Sequence, residues 1–314
     1  MGPVAAVDCG TNSTRLLVVD AAGRPLERLM RITRLGQGVD AGRRLQDEAV
    51  ARVAAALTEF AEVLERHGVE QVRAVATSAA RDAVNAEALF DAAEAALGHR
   101  PELLTGLEEA RLSFLGATAA LPAGGPPLLV ADIGGGSTEL VVGVPGDEPL
   151  GAVSLDVGCV RLTERCIEHD PPEPEELANA LGEVHDLLED ADRRVPALAA
   201  AEGFIGLAGT VSTVAALDLG LATYDADRVH HHLLERDAVE DWFRTMAMGD
   251  RAERLGNPGL EAGRADVIVA GMCVLVAILR HRGLASCLVS ESDILDGLCA
   301  SLRAPVGEDR GAAR

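Results

Sequence analysis

The chain has 314 residues, 48% of them hydrophobic, and a formal net charge of −22, which suits about two globular domains and repels nucleic acid and anionic membrane surfaces on average. All 28 basic residues are Arg, so a Walker lysine loop, a Schiff-base lysine and a kinase-type Lys–Glu pair are excluded. One Trp, one Tyr and five Phe leave little surface for stacking single-stranded bases.

Residues 4–34 read as three consecutive strands that end at the turn Leu35-Gly36-Gln37-Gly38. An amphipathic helix follows, with Val50, Val53, Leu57, Phe60 and Leu64 on one stripe and Gly68 just past its end. Next come a strand at 72–76, a helix at 85–97, a short strand at 103–104 and a helix from Thr105. The segment Leu121 to Pro127, rich in Gly and Pro, reads as a linker. After it the spacing predicts strands at 128–132, 137–143 and 150–155, helices at 158–168 and 173–198, a strand at 204–207 and a helix at 209–219. Helices at 235–248 and 264–281, a strand at 286–290 and a helix at 293–303 complete the order, and 304–314 reads as a frayed tail.

Within this order the chain nearly repeats itself. Asp8-Cys9-Gly10-Thr11-Asn12-Ser13-Thr14-Arg15-Leu16 matches Asp132-Ile133-Gly134-Gly135-Gly136-Ser137-Thr138-Glu139-Leu140 in register, at an offset of 132 − 8 = 124 residues. Each copy lies between apolar runs and reads as strand, polar turn, strand. Glycine supplies positive φ and close backbone approach, Ser and Thr supply hydroxyl donors, and Asp can hold a cation. Two such turns face to face would grip one phosphate from both sides, with Gly10, Thr11, Asn12, Ser13, Gly134, Gly135, Gly136 and Ser137 as its binding residues. A duplicated strand triplet followed by alternating helices and strands describes an α/β protein of two related lobes with a cleft between them. The expected division is 1–123 and 124–303, with the final helix packing back on the first lobe.

The six cysteines contain no C-x-x-C and read as reduced thiols. The start of the chain lacks a basic leader, and the longest apolar run, Val267 to Leu279, is too short to span a bilayer. The expectation is a cytoplasmic protein without nucleic-acid or membrane partners. His230-His231-His232 reads as a solvated loop, because three adjacent side chains cannot face one ion from regular structure. Glu173, Glu175 and Glu176 read as the acidic first turn of a helix.

Six segments together resemble the exopolyphosphatase and guanosine pentaphosphate phosphatase family, within the actin, sugar kinase and heat-shock superfamily. They are Val7 to Leu16, Ala76 to Ala83, Thr105 to Arg111, Asp132 to Leu140, Ala208 to Thr210 and Arg264 to Val267, in family order from about Val4 to Leu302. The resemblance implies two ribonuclease-H-like lobes, Mg²⁺ as cofactor, a homodimer, and release of orthophosphate from the end of inorganic polyphosphate. Thr105-Gly106-Leu107-Glu108 is a capping box, which accounts for Glu108. Glu109 points about 100° away around the helix, and the resemblance makes it general base for the attacking water. Asp132 and Glu139 flank the second turn as candidate Mg²⁺ ligands. Glu139 stands where the first copy has Arg15, so the second turn is the expected metal side and the first a pure phosphate side. Arg81, at the end of a strand, suits a phosphate oxygen. Gly209-Thr210 opens a helix and forms a third anion site.

The stretch Arg24, Arg28, Arg31, Arg34, Arg43 and Arg44 is expected in part to guide the polyanion. Two departures stand out. Ser290 to Gly297 lacks the Arg-containing segment many relatives carry, and the chain has no added C-terminal helical domains, which favours short polyphosphate. Guanosine pentaphosphate hydrolysis, a superfamily kinase activity and non-catalytic polyphosphate or alarmone sensing are the competing readings.

Overall fold

The structure, a computed structural model, describes residues 2–303; the tail expected at 304–314 lies outside the described residues. The first half runs β1 (Val4–Cys9), β2 (Ser13–Val19), β3 (Pro25–Ile32), α1 (Val39–Gly42), α2 (Asp47–Arg66), β4 (Gln71–Ala76), α3 (Ser78–Asp82), α4 (Ala86–Leu97), β5 (Glu102–Leu103) and α5 (Gly106–Thr118). The second half opens with β6 (Leu128–Ile133), β7 (Thr138–Gly143), β8 (Gly151–Leu155), α6 (Cys159–Cys166), α7 (Pro174–Arg194), β9 (Gly203–Leu207) and α8 (Ala208–Asp218). It continues through α9 (Ala226–Val229), β10 (Leu233–Glu235), α10 (Arg236–Met248), α11 (Arg251–Leu255), α12 (Ile268–Arg282), β11 (Ser286–Val289) and α13 (Ile294–Arg303).

The strands form two sheets, ordered β3-β2-β1-β4-β5 and β10-β11-β9-β6-β7-β8. In each, two antiparallel hairpins precede strands added in parallel, so β6, β7, β8, β9 and β11 repeat the order and direction of β1 to β5. This is the α/β fold of two related ribonuclease-H-like lobes, with β10 as an extra edge. β1 and β6 are central strands covered on both faces, which explains their near-continuous apolar runs.

Two helices fill the space between the sheets. α5 lies on β6, β7 and β8, α13 lies on β1, β2 and β4, and the two pack against each other. Gly116 and Gly297 permit this: a Cβ on the first would strike the Asp293 carbonyl, and one on the second the Leu112 carbonyl. The start of α5 is thereby held over the ends of β6 and β7, where the second polar turn lies.

Differences from the expected elements have local causes. The helix foreseen over 173–198 stops at Arg194, because Pro196 offers no donor, and a 3-10 turn over Pro196–Ala200 replaces its end. The helix foreseen from 264 starts at Ile268, after a 3-10 turn over Ala262–Arg264. α3, β10 and α11 hold three to five residues each, too few to show a period. Among the described residues no helix is long and apolar enough to cross a membrane.

Candidate active site

Gly10–Ser13 joins β1 to β2 and Gly134–Ser137 joins β6 to β7, and the same bond closes both turns. The Gly10 N–H donates to the Ser13 carbonyl at 3.0 Å, and the Gly134 N–H to the Ser137 carbonyl at 3.0 Å. The expectation that these glycines supply positive φ fails, since none of Gly10, Gly134, Gly135 and Gly136 lies there. Close approach requires them instead. A Cβ on Gly135 would sit 2.9 Å from the Thr11 Cβ, and one on Gly136 would sit 2.5 Å from the Ser78 Oγ. The two turns therefore touch.

Both turns line one cleft together with Glu109, Asp132, Gly209 and Thr210. Arg81 and Glu139 stand just behind it. The Arg81 Nη1 donates to Glu109 Oε2 at 2.6 Å and to the Leu104 carbonyl at 3.1 Å, while Nη2 reaches the Ser137 Oγ at 3.4 Å. Glu139, only 1% exposed, accepts from the Ser154 Oγ at 2.7 Å and lies 3.9 Å from Arg81. Glu108 closes the capping box with Thr105, as the spacing implied, which leaves Glu109 free of that duty.

Burial dominates the electrostatics. It pushes the Glu109 carboxyl up to about 7, against the pull of Arg81 and with the push of Asp132 and Asp8. It raises Asp132 to about 6, although the Ser113 hydroxyl donates to it at 2.8 Å. Glu139 is held well above the usual carboxylate range by burial and by the Glu109 charge.

Sequence reasoning missed Asp8, although the repeat carries the signal: Asp8 pairs with Arg15 across β1 and β2 as Asp132 pairs with Glu139 across β6 and β7. One Asp8 oxygen accepts from Arg15 at 2.7 and 3.1 Å, and Oδ1 is buried without a partner. The first turn thus carries a buried carboxylate of its own. Arg15 also bonds Asp293, the residue that the departing Ser290–Gly297 segment brings to the site. Among the described residues no three His, Cys, Asp or Glu side chains form a ready-made ion cage.

Ala208 adopts φ 67° where β9 turns into α8, a strained conformation for a residue with a Cβ. A Cβ on Gly209 would displace the Arg264 guanidinium, which lies against it. Arg264, also missed as a site residue, lines the same cleft. Five arginines of the basic stretch pair with carboxylates. Arg24 pairs with Asp20, Arg28 with Asp296, Arg31 with Glu59, Arg34 with Asp266 and Arg43 with Asp82. The histidines divide: the His230 and His231 rings stack with centres 3.8 Å apart, His230 accepts from the Glu291 N–H at 3.1 Å, and His232 bonds Asp218 at 2.7 Å.

The model of the Ppx/GppA phosphatase family matches residues 16–302. The chain belongs to this family. It is 46% identical over 95% of its length to Exopolyphosphatase 2 of Mycobacterium tuberculosis, covering 98% of that protein. A Ppx/GppA family member from Aquifex aeolicus superposes with a TM-score of 0.80 at 30% identity, over 98% of this chain and 99% of the other. An exopolyphosphatase from Cytophaga hutchinsonii gives a TM-score of 0.88 at 26% identity, over 96% and 97%. The Ppx/GppA likeness therefore spans both sheets and the cleft between them.

Proposed function

We propose that this chain is an exopolyphosphatase. Water attacks the terminal phosphorus of inorganic polyphosphate, the phosphoanhydride bond breaks, and orthophosphate leaves. The observation that carries the reading is Glu109, a part-buried carboxylate that accepts from Arg81 at 2.6 Å in the same cleft as both phosphate turns, its carboxyl pushed up to about 7 by desolvation. Glu109 takes the proton from the attacking water. The turn hydroxyls and N–H groups, with the start of α8 at Gly209 and Thr210, hold the phosphoryl oxygens. Arg81 orients Glu109 and neutralises charge that develops on the oxygens.

The residues present fit a divalent cation. Asp8 Oδ1 is buried without a partner, and Asp132 and Glu139 are carboxylates whose charge burial disfavours. These hard oxygen donors suit Mg²⁺, which takes few protein ligands and keeps water and substrate oxygens for the rest. When bound, it would neutralise charge on the phosphate oxygens. The pairing of the basic stretch with carboxylates supports a preference for short polyphosphate. The six free cysteines are in keeping with the cytoplasm as its compartment. A homodimer belongs to the same reading, and light scattering after size exclusion tests it.

One observation favours a second substrate, guanosine pentaphosphate. A largely apolar cavity of about 650 Å³, lined by Tyr224, Pro258, Leu260 and Leu29, shares Arg15, Gly209 and Arg264 with the phosphate cleft. A nucleoside could lie there while its terminal phosphate occupies the cleft. Orthophosphate release from tripolyphosphate, longer polyphosphate, guanosine pentaphosphate and ATP, with and without Mg²⁺, tests both readings. The expected result is fastest Mg²⁺-dependent release from short polyphosphate. ATP-dependent phosphorylation of a sugar or carboxylate would favour a kinase, and binding without turnover would favour a sensor.

The pH dependence follows with its sign. Glu109 must be ionised to act as base, and kcat/KM reports the free enzyme. Activity is therefore expected to fall as pH drops below about 7, and added Mg²⁺ to move that limb to lower pH. A profile flat from pH 5 to 8 would contradict the assignment.

A further inference from the structure

Arg161, the third residue of α6, has no place in the chemistry described so far, yet it is only 6% exposed. A cation in the first turn of a helix opposes the helix dipole, and its burial needs full compensation. The compensation comes from both halves of the molecule. The Arg161 Nε donates to the Gly136 carbonyl at 2.6 Å, and Nη1 donates to Asp40 of α1 at 2.6 Å. Nη2 bonds Asp82 and reaches the Ser78 Oγ of α3 at 3.3 Å. The backbone of α6 grips the same turn: the Cys159 N–H donates to the Gly134 carbonyl at 2.9 Å and the Val160 N–H to the Gly135 carbonyl at 2.8 Å.

α3 is the helix that presents Arg81, and it cannot fix its own orientation. It has five residues, no side-chain cap at Thr77, and Asp82 at its C-terminal end, where a carboxylate is disfavoured. Arg161 supplies what α3 lacks, and the same guanidinium holds the second phosphate turn. It does so from behind, since it lines not the cleft but a small hollow beside Asp40 and Asp82.

We propose that Arg161 is a positioning residue for phosphoryl transfer: it sets the gap between the second phosphate turn and α3, and so holds Arg81 against Glu109 and the terminal phosphate. The inference rests on the hydrolase reading above. Arg165, one turn further along α6, pairs with Asp40 and Glu183 but reaches neither the turn nor α3. It provides the control for a contact that joins the halves without positioning Arg81.

Steady-state kinetics on tripolyphosphate test this with Arg161→Met, Arg161→Lys, Arg81→Met, the double variant Arg161→Met/Arg81→Met, and Arg165→Gln. Arg161→Met is expected to lower kcat about 10–100-fold with KM within about threefold, as misplacement of a catalytic group does. Arg161→Lys should not rescue, because an ammonium cannot serve the three directions of the planar fork. The double variant should be within about threefold of Arg81→Met alone, since groups acting through one another are not additive. Arg165→Gln should keep wild-type kcat. Should Arg161→Met fail to fold, Asp82→Asn, which spares the bonds to Gly136 and Asp40, carries the same cycle. Additive losses, full activity of Arg161→Lys, or a kcat loss that merely follows the folded fraction in thermal melts would overturn the inference. A wild type that releases no phosphate overturns the hydrolase reading and the inference with it, whereas an active wild type with additive losses overturns the inference alone.

Discussion

Glu109→Gln is expected to lower kcat for orthophosphate release by about 10²–10⁴-fold, the range for removing a positioned general base, while KM changes little. The amide keeps the shape of the carboxylate and can still accept from Arg81 Nη1, which now reaches Glu109 at 2.6 Å. What it loses is the capacity to take a proton. Glu108→Gln is the matched control, because that neighbour closes the helix cap on Thr105. It should cost at most about 1 kcal/mol of stability and leave kcat unchanged. Stopped reactions read by phosphate release, with thermal melts on each variant, separate the two effects. Equal kcat for wild type and Glu109→Gln would remove Glu109 from the chemistry.

The second large effect is expected at Asp132. Asn is nearly the same size and keeps an oxygen for the Ser113 hydroxyl, now 2.8 Å away, so the variant should fold. It removes one of the buried charges that a cation would neutralise. The Mg²⁺ concentration for half-maximal activity should rise about 10–100-fold, the scale for loss of a metal-site contact, with kcat reduced at saturating Mg²⁺. Asp8→Asn should move in the same direction, because Asp8 Oδ1 has no partner within the protein. An unchanged Mg²⁺ titration in both variants would place the cation elsewhere.

Much of this site was legible because it is written twice. The repeat located both turns, and the topology confirms it as the joint between equivalent hairpins, with β1 and β2 matching β6 and β7. The capping box likewise told Glu108 from Glu109 without coordinates. What was not legible depends on tertiary distance. Arg15 and Asp293 lie 278 positions apart, and no local pattern signals that the departing C-terminal segment returns a carboxylate to an arginine of β2. Arg161 carried no sign either, because its partners Asp40, Asp82 and Gly136 come from three separate segments. The glycine argument was right in its residues and in close approach, but not in positive φ. Gly135 and Gly136 are needed because the opposite half of the molecule is too close for a side chain, a reason that only the assembled lobes reveal. The basic stretch shows the same dependence on tertiary distance: a run of Arg on and around β3 reads as an open track, and the structure pairs five of its arginines with carboxylates of α2, α3, α13 and the turns at Asp20 and Asp266.

The most direct test is a crystal structure of Glu109→Gln with tripolyphosphate and Mg²⁺. The account predicts the terminal phosphorus lodged where Ser13 and Ser137 converge, with a water on its far side facing residue 109. A terminal phosphate seated in the apolar cavity beside Tyr224, or on the outer surface, would contradict it.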